Sequence, residues 1–150
     1  MDFDGKRVLV TGAAGGIGTA ILRGLRARGA RVAAADLKTE GIEAEVLLAG
    51  NLTDATYADR LPGKARETLG GLDIVINNAG IIRRGAVTDC SDEDFALSVA
   101  VNVEAPFRIC RAAIPILAEN GGGAIVNTAS CWGLRPGPDH AVYCMTKAAI

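Results

Sequence analysis

Tyr143 and Lys147 stand four residues apart, in a segment that reads as a helix beginning near Ala141. That spacing puts the phenol and the ammonium on one helix face. A free tyrosine titrates at about 10 and is a poor base at neutral pH. A neighbouring ammonium stabilises the phenolate and lowers that value. The tyrosine then becomes a proton donor and acceptor suited to a carbonyl/alcohol pair. Ser130, thirteen residues upstream at the end of a predicted strand, can hydrogen-bond the same substrate oxygen. Tyrosine and lysine are common on helices, so the weight of this spacing depends on what precedes it.

What precedes it is a second chemical group. Thr11, Gly12, Gly15, Gly16, Ile17 and Gly18 follow an apolar β-branched run, and Asp36 comes 18 residues after Gly18. Glycine permits a tight turn and close approach of a pyrophosphate, and the next helix offers unpaired N–H groups to phosphate oxygens. A carboxylate ending the second strand can accept hydrogen bonds from both hydroxyls of an adenosine ribose. Strand, turn, helix, strand and acid describe a βαβ unit that holds a dinucleotide. The spacing is T-G-x-x-x-G-x-G over 11–18 and departs from G-x-G-x-x-G, because Ile21 takes the last glycine position.

These groups need a frame. Apolar runs predict strands over 7–11, 31–35, 45–48, 73–76 and 124–128, and helical patterns cover 16–28 and 53–69. A long helical region starts at Ser91, a natural N-cap with Asp94 placed to complete a capping box, and ends near Glu119. Pro106 and Pro115 are expected to break or kink it. The stretch 37–45 has room for a turn or two of helix at most. Alternating strands and helices, with strands too apolar to alternate faces, imply a parallel sheet covered on both sides. The fold class is α/β, a doubly wound Rossmann sheet with strand order 3-2-1-4-5 and ligand at the carboxyl ends around strands 1 and 4. No repeat, low-complexity tract or linker divides the chain, so 1–150 reads as one dinucleotide-binding domain.

The combined set resembles the short-chain dehydrogenase/reductase family over essentially the whole chain. It comprises T-G-x-x-x-G-x-G at 11–18, N-N-A-G at 77–80, Asn102 in Val-Asn-Val, Ser130 and Tyr143-x-x-x-Lys147. The resemblance implies an oxidoreductase that moves a hydride between NAD(H) and a secondary alcohol or ketone. Tyr143 would be the acid/base and Ser130 would polarise the substrate oxygen. Lys147 would lower the tyrosine titration and hold the nicotinamide ribose, while Asn102 would kink its helix and anchor a water in a proton relay. Expected cofactor contacts are Gly12, Gly15, Gly16, Ile17 and Gly18, then Asp36, Leu37, Asn51 and Leu52, then Asn78, Ala79 and Gly80, with Tyr143 and Lys147. Ile82, Trp132 and His140 would face substrate beside Ser130; the alternative for His140, and the one its type favours, is a solvated loop residue. Asp36 would repel a 2′-phosphate, and Gly15 stands where NADP-preferring relatives often carry a base, so NAD is expected over NADP. Lys38 weakens that discrimination. Asn51 stands where the family usually has an aspartate contacting the adenine amine; its amide oxygen can still accept that bond.

The substrate class implied is a cyclic or polyol-like secondary alcohol or a β-keto group, as in dihydrodiol dehydrogenases, sugar dehydrogenases and 3-oxoacyl reductases. Ala112, Ala113, Ala148 and Ala149 are small enough for helix contacts in a homotetramer or homodimer. The family fold continues with two more strands and a substrate-covering loop, so the domain reads as C-terminally incomplete. The competing expectation is an inactive fragment or nucleotide-binding protein that holds NAD and turns nothing over.

Bulk properties agree. Hydrophobic residues at 49% against 22% charged describe a globular chain, and a net charge of −1 gives no reason to expect nucleic acid or an anionic membrane as partner. No apolar run reaches the roughly 18 residues that span a bilayer. Acids near Met1 stand where a secretory leader needs bases, so the chain reads as cytoplasmic. The four cysteines lack C-x-x-C spacing and there is one histidine, which predicts free thiols and no metal site.

Overall fold

The computed structural model describes residues 3–150. Met1 and Asp2, part of the acidic start weighed against a leader, lie outside the described residues. Five parallel strands, β1 (Arg7–Thr11), β2 (Arg31–Asp36), β3 (Val46–Ala49), β4 (Ile74–Asn77) and β5 (Ala124–Asn127), form one sheet in the order β3-β2-β1-β4-β5. Val8 pairs with Val32 on one side and Ile74 on the other, so β1 is central.

Side chains alternate between two apolar layers. Leu9, Ala33, Ala35 and Val75 face α2 (Ala55–Leu69) and α4 (Ala105–Glu119), meeting Leu61, Leu69, Ile109 and Leu117. Val8, Val10, Val32 and Ala34 face α1 (Gly16–Arg26) through Leu22 and Leu25. Burying each leucine contributes about 1.5–3 kcal/mol. Ala113 lies wholly inside the first layer, which corrects its assignment to a contact between copies. Ala112 is half-buried, whereas Ala148 and Ala149 are exposed.

The long helical region is three pieces: α3 (Asp92–Val99), a π-helical segment (Ala100–Glu104) and α4. Ser91 caps α3 by accepting from the Asp94 N–H at 3.1 Å. The Asp94 carboxylate pairs with Arg83 at 2.9 Å, tying the preceding loop to the helix. Neither proline ends a helix; the region is instead interrupted by the π segment just before Pro106. The Ala105 N–H reaches back to the Ala100 carbonyl, and Pro106 then falls in the first turn of α4. A proline lacks only the N–H that a helix start leaves unpaired. Pro115 is accommodated inside α4. The last helix, α5 (Ala141–Ala148), packs against α3 and a 3-10 turn at Cys131–Gly133.

The amino-terminal rim of the sheet is closed by charge pairs. Arg7 donates to Asp73 through Nε and Nη2, both at 2.8 Å, and to the Gly70 carbonyl through Nη1. Asn120 adds a bond to Asp73 at 2.9 Å. The Arg7 guanidinium holds the Asp73 carboxyl well below its ordinary value.

Candidate functional site

At the carboxyl rim, the turn between β1 and α1 depends on two glycines. Gly12 has φ +65, and a Cβ there would stand 2.7 Å from the Ala79 Cα. A Cβ at Gly18 would overlap the Gly12 carbonyl. Only glycine lets this turn fold against both β4 and its own helix. Asn78 completes the packing by donating from Nδ2 to the Thr11 and Gly12 carbonyls, each at 3.1 Å.

The turn opens on a cleft of about 490 Å³. All expected cofactor contacts except Tyr143 and Lys147 line it: the glycine turn with Ile17, Asp36 with Leu37, Asn51 with Leu52, and Asn78 to Gly80. Sequence reasoning missed Ala14, Ala35, Gly50, Tyr57, Ile81 and Val101, which also line it. At the N-terminus of α1, Gly15 supplies no side-chain cap and the first turn has no acid. Its leading N–H groups and positive dipole end are therefore open to an anion. Asp36 is aimed by two backbone donors: Ala14 N–H to Oδ2 at 2.9 Å and Leu37 N–H to Oδ1 at 2.7 Å. Each oxygen keeps a lone pair for a further donor. Asn51 Oδ1 accepts from the Thr53 N–H at 3.0 Å, so this amide first shapes the turn into α2.

Asn102 sits in the π segment with 1% of its surface exposed. Its amide brackets Ile81, accepting from the N–H and donating to the carbonyl, both at 2.9 Å. Its second amide hydrogen goes to Thr146 Oγ1 at 3.0 Å, and that hydroxyl donates to the Tyr143 carbonyl at 2.9 Å. One amide thereby links the loop after β4 to α5. Lys147, on the next residue of α5, donates to the Thr128 carbonyl at the end of β5. Burial pushes its ammonium below the ordinary value. Gly80 joins the two halves: a Cβ there would stand 3.4 Å from both Asn102 Oδ1 and Lys147 Nζ.

Ser130 Oγ accepts from the Trp132 N–H at 3.2 Å, which leaves its proton to give. Trp132 meets Tyr143 edge-on, with ring centroids 6.3 Å apart, and packs at 3.8 Å against His140. His140 is buried, with 8% exposure, and its Nδ1 donates to the Pro138 carbonyl at 2.7 Å. It is therefore not a solvated loop residue, and Nε2 is the nitrogen left for another partner. Asp139, with φ 57, turns its carbonyl onto the Gly85 N–H at 2.8 Å, joining this loop to the one that carries Ile82. Ile82 itself is half exposed. Among the described residues, no three His, Cys, Asp or Glu side chains cluster as metal ligands, and no helix is long and apolar enough to cross a membrane.

A doubly wound parallel sheet with a glycine turn, an acid ending β2 and a Ser/Tyr/Lys group beyond β5 defines a class of dinucleotide-binding folds. The short chain dehydrogenase family model matches residues 6–150, and the chain belongs to that family. An uncharacterized oxidoreductase of Thermotoga maritima is 40% identical over 100% of this chain and 63% of its own. The D-threitol dehydrogenase of Mycolicibacterium smegmatis is 35% identical over 99% of this chain and 61% of its own. Among solved structures, a Burkholderia cenocepacia short chain dehydrogenase in complex with NADP has 34% identity and a TM-score of 0.91, covering 99% of this chain and 65% of that one. NAD+-bound xylitol dehydrogenase has 30% identity and a TM-score of 0.91, covering 99% and 62%. The chain thus spans somewhat under two thirds of the length of these relatives.

Proposed function

We propose that this chain holds NAD(H) and carries the proton-transfer group of an oxidoreductase that interconverts a secondary alcohol and a ketone. The observation that carries the reading is Gly80, where the dinucleotide cleft meets Asn102 and Lys147. The cleft suits the cofactor on its own chemistry: an open helix N-terminus for phosphates and, along the same wall, a carboxylate for ribose hydroxyls. A bound nicotinamide supplies the acceptor or donor of hydride.

The remaining work falls to the chain. Among the described residues the Tyr143 hydroxyl makes no hydrogen bond, so its proton and lone pairs are available to a substrate oxygen. Ser130 gives the second hydrogen bond to that oxygen. Lys147 lends positive charge to the phenolate side and reaches the inner ribose, and Asn102 holds α5 against the loop after β4 so that both stay in place. A water carried by Asn102 would pass protons between Lys147 and solvent. Trp132 and Ile82 offer an apolar wall, with His140 Nε2 as one polar contact. That wall and the polyol-acting relatives favour a polyol-like or cyclic secondary alcohol. Exposed Phe107 and Ile114 on α4, with Ala148 and Ala149 on α5, support assembly with further copies.

NAD is favoured over NADP because the Asp36 carboxylate, fixed by Ala14 and Leu37, would repel the 2′-phosphate of a ribose held there. The test of turnover is NAD+ reduction over a panel of secondary alcohols by the wild type and Tyr143→Phe. Loss of the proton donor is expected to lower kcat by about a thousandfold, within the usual range for general acid–base groups. NADH affinity should stay within about twofold, since that contact is one of many. A wild type that binds NADH and reduces nothing would instead make the chain a binder.

A further inference from the structure

A second pocket, of about 320 Å³, lies between α1 and the connection from β2 to β3. Ala14 is the one residue it shares with the dinucleotide cleft. Its helix wall carries Leu22, Arg23 and Arg26, and its loop wall carries Glu40, Ile42 and Glu43. The connection over 37–45 contains no helix, so this loop alone closes the pocket on that side. A tight turn shapes the loop. The Ile42 N–H donates to the Thr39 carbonyl at 3.2 Å, and Gly41 has φ +77, as a type II turn requires at its third residue. Glu40 stands at the corner of that turn.

The charges on the two walls come in matched rungs, and only one rung is closed. Arg26 Nη1 meets Glu43 Oε2 at 2.9 Å and pins the helix to the loop. Three residues earlier on each wall stand Arg23 and Glu40, and neither side chain has a partner among the described residues. Between them the floor is apolar, formed by buried Leu22 and half-buried Ile42. The volume lies at the lower end of small-molecule pockets, about 300–1,000 Å³. A plain anion here would leave Glu40 unpaired, and a plain cation would leave Arg23 unpaired. A ligand with both charges answers both walls. We propose that this pocket is a second ligand site, which takes a small aminocarboxylate. Its carboxylate meets Arg23, its ammonium meets Glu40, and an apolar spacer covers Leu22 and Ile42. The inference goes beyond the proposed dehydrogenase activity and does not depend on it.

The experiment titrates ε-aminocaproate into the isotope-labelled protein, with and without NADH, and follows backbone amide shifts by NMR. Caproate and hexylamine serve as probes that carry one charge each on the same chain. The amides of Leu22, Gly41 and Ile42 should shift saturably with ε-aminocaproate, whether or not NADH is present. Each single-charge probe should bind about fivefold more weakly, the scale of one exposed charge pair. Arg23→Gln should remove the advantage of ε-aminocaproate over hexylamine, and Glu40→Gln its advantage over caproate. The exchanged pair, Arg23→Glu with Glu40→Arg, should bring affinity back to within about twofold of wild type, which a merely structural role for either residue would not do. Absence of a saturable shift at these amides, or equal affinity for the three probes, would overturn the proposal. So would shifts confined to the dinucleotide cleft and abolished by NADH, or an exchanged pair that binds no better than the single variants.

Discussion

The two rims of the sheet use polar side chains in opposite ways. At the amino-terminal rim, Arg7, Asp73 and Asn120 satisfy one another, and Arg31 gives Nε and Nη2 to Glu45 and Nη1 to the Leu69 carbonyl. At the carboxyl rim the polar groups are positioned but keep capacity in reserve. Asp36 receives two backbone donors and retains lone pairs, Ser130 accepts one bond and keeps its proton, and the first turn of α1 is uncapped. Closed networks stabilise a fold, while oriented groups with unused bonding capacity can bind and react. Burial alone does not draw this contrast, since Lys147, which the proposed function places in the site, is as buried as many core side chains.

Lys147→Met tests the contrast most strongly. The account expects kcat to fall by about a hundredfold or more, the scale of a lost acid–base auxiliary. Stability should change little. Burial depresses the Lys147 value, so the folded chain pays to keep the charge below that value, and the loss of the Thr128 bond is offset by removing the cost. A large drop in Tm with kcat preserved would move Lys147 into the structural class.

Asp73→Asn should do the reverse. Its stability cost at pH 7 is expected to be about 2 kcal/mol, from charge-assisted bonds that weaken, and NADH affinity should not move. The Asp73 value is depressed on folding, so its contribution is fully present above the ordinary 3.8 and is lost as pH falls toward the folded value. Urea midpoints of wild type and variant should therefore converge in acid; a gap independent of pH would remove the charge from the explanation.

The smallest expected effect sharpens the boundary. Ser91 opens α3 after the loop that leaves the carboxyl end of β4, and its hydroxyl is committed to the Asp94 N–H. Ser91→Ala should cost about 1 kcal/mol of stability and leave dinucleotide affinity unchanged. A change in affinity would show that position, and not unused bonding capacity, marks function.

Much of this was legible from residue type and spacing, where the physical demand is local. Gly12 and Gly18 are required by contacts around a single turn, Asp36 stands at a strand end as expected, and Tyr143 and Lys147 lie one helical period apart on α5. Strand order followed from the alternation of apolar strands with helices. Contacts set by packing between distant elements were not legible. Tyr57 and Gly50 are ordinary residue types whose meeting depends on how α2 returns over β3. Pro106 reads as a helix breaker until the π segment shifts it into a first turn. Ala113 reads as small enough for an external contact, but the two apolar layers decide that it faces inward. His140 reads as loop until Trp132 and Pro138 enclose it.

The central claim is that the carboxyl rim is shaped for a nicotinamide dinucleotide whose adenosine ribose hydroxyls are free to meet Asp36. Its most direct test is the dissociation constant of NADH against that of NADPH for the wild-type protein. The account predicts NADH tighter by about tenfold or more, the scale of a like-charge clash at close range. Equal affinities, or tighter binding of NADPH, would contradict it.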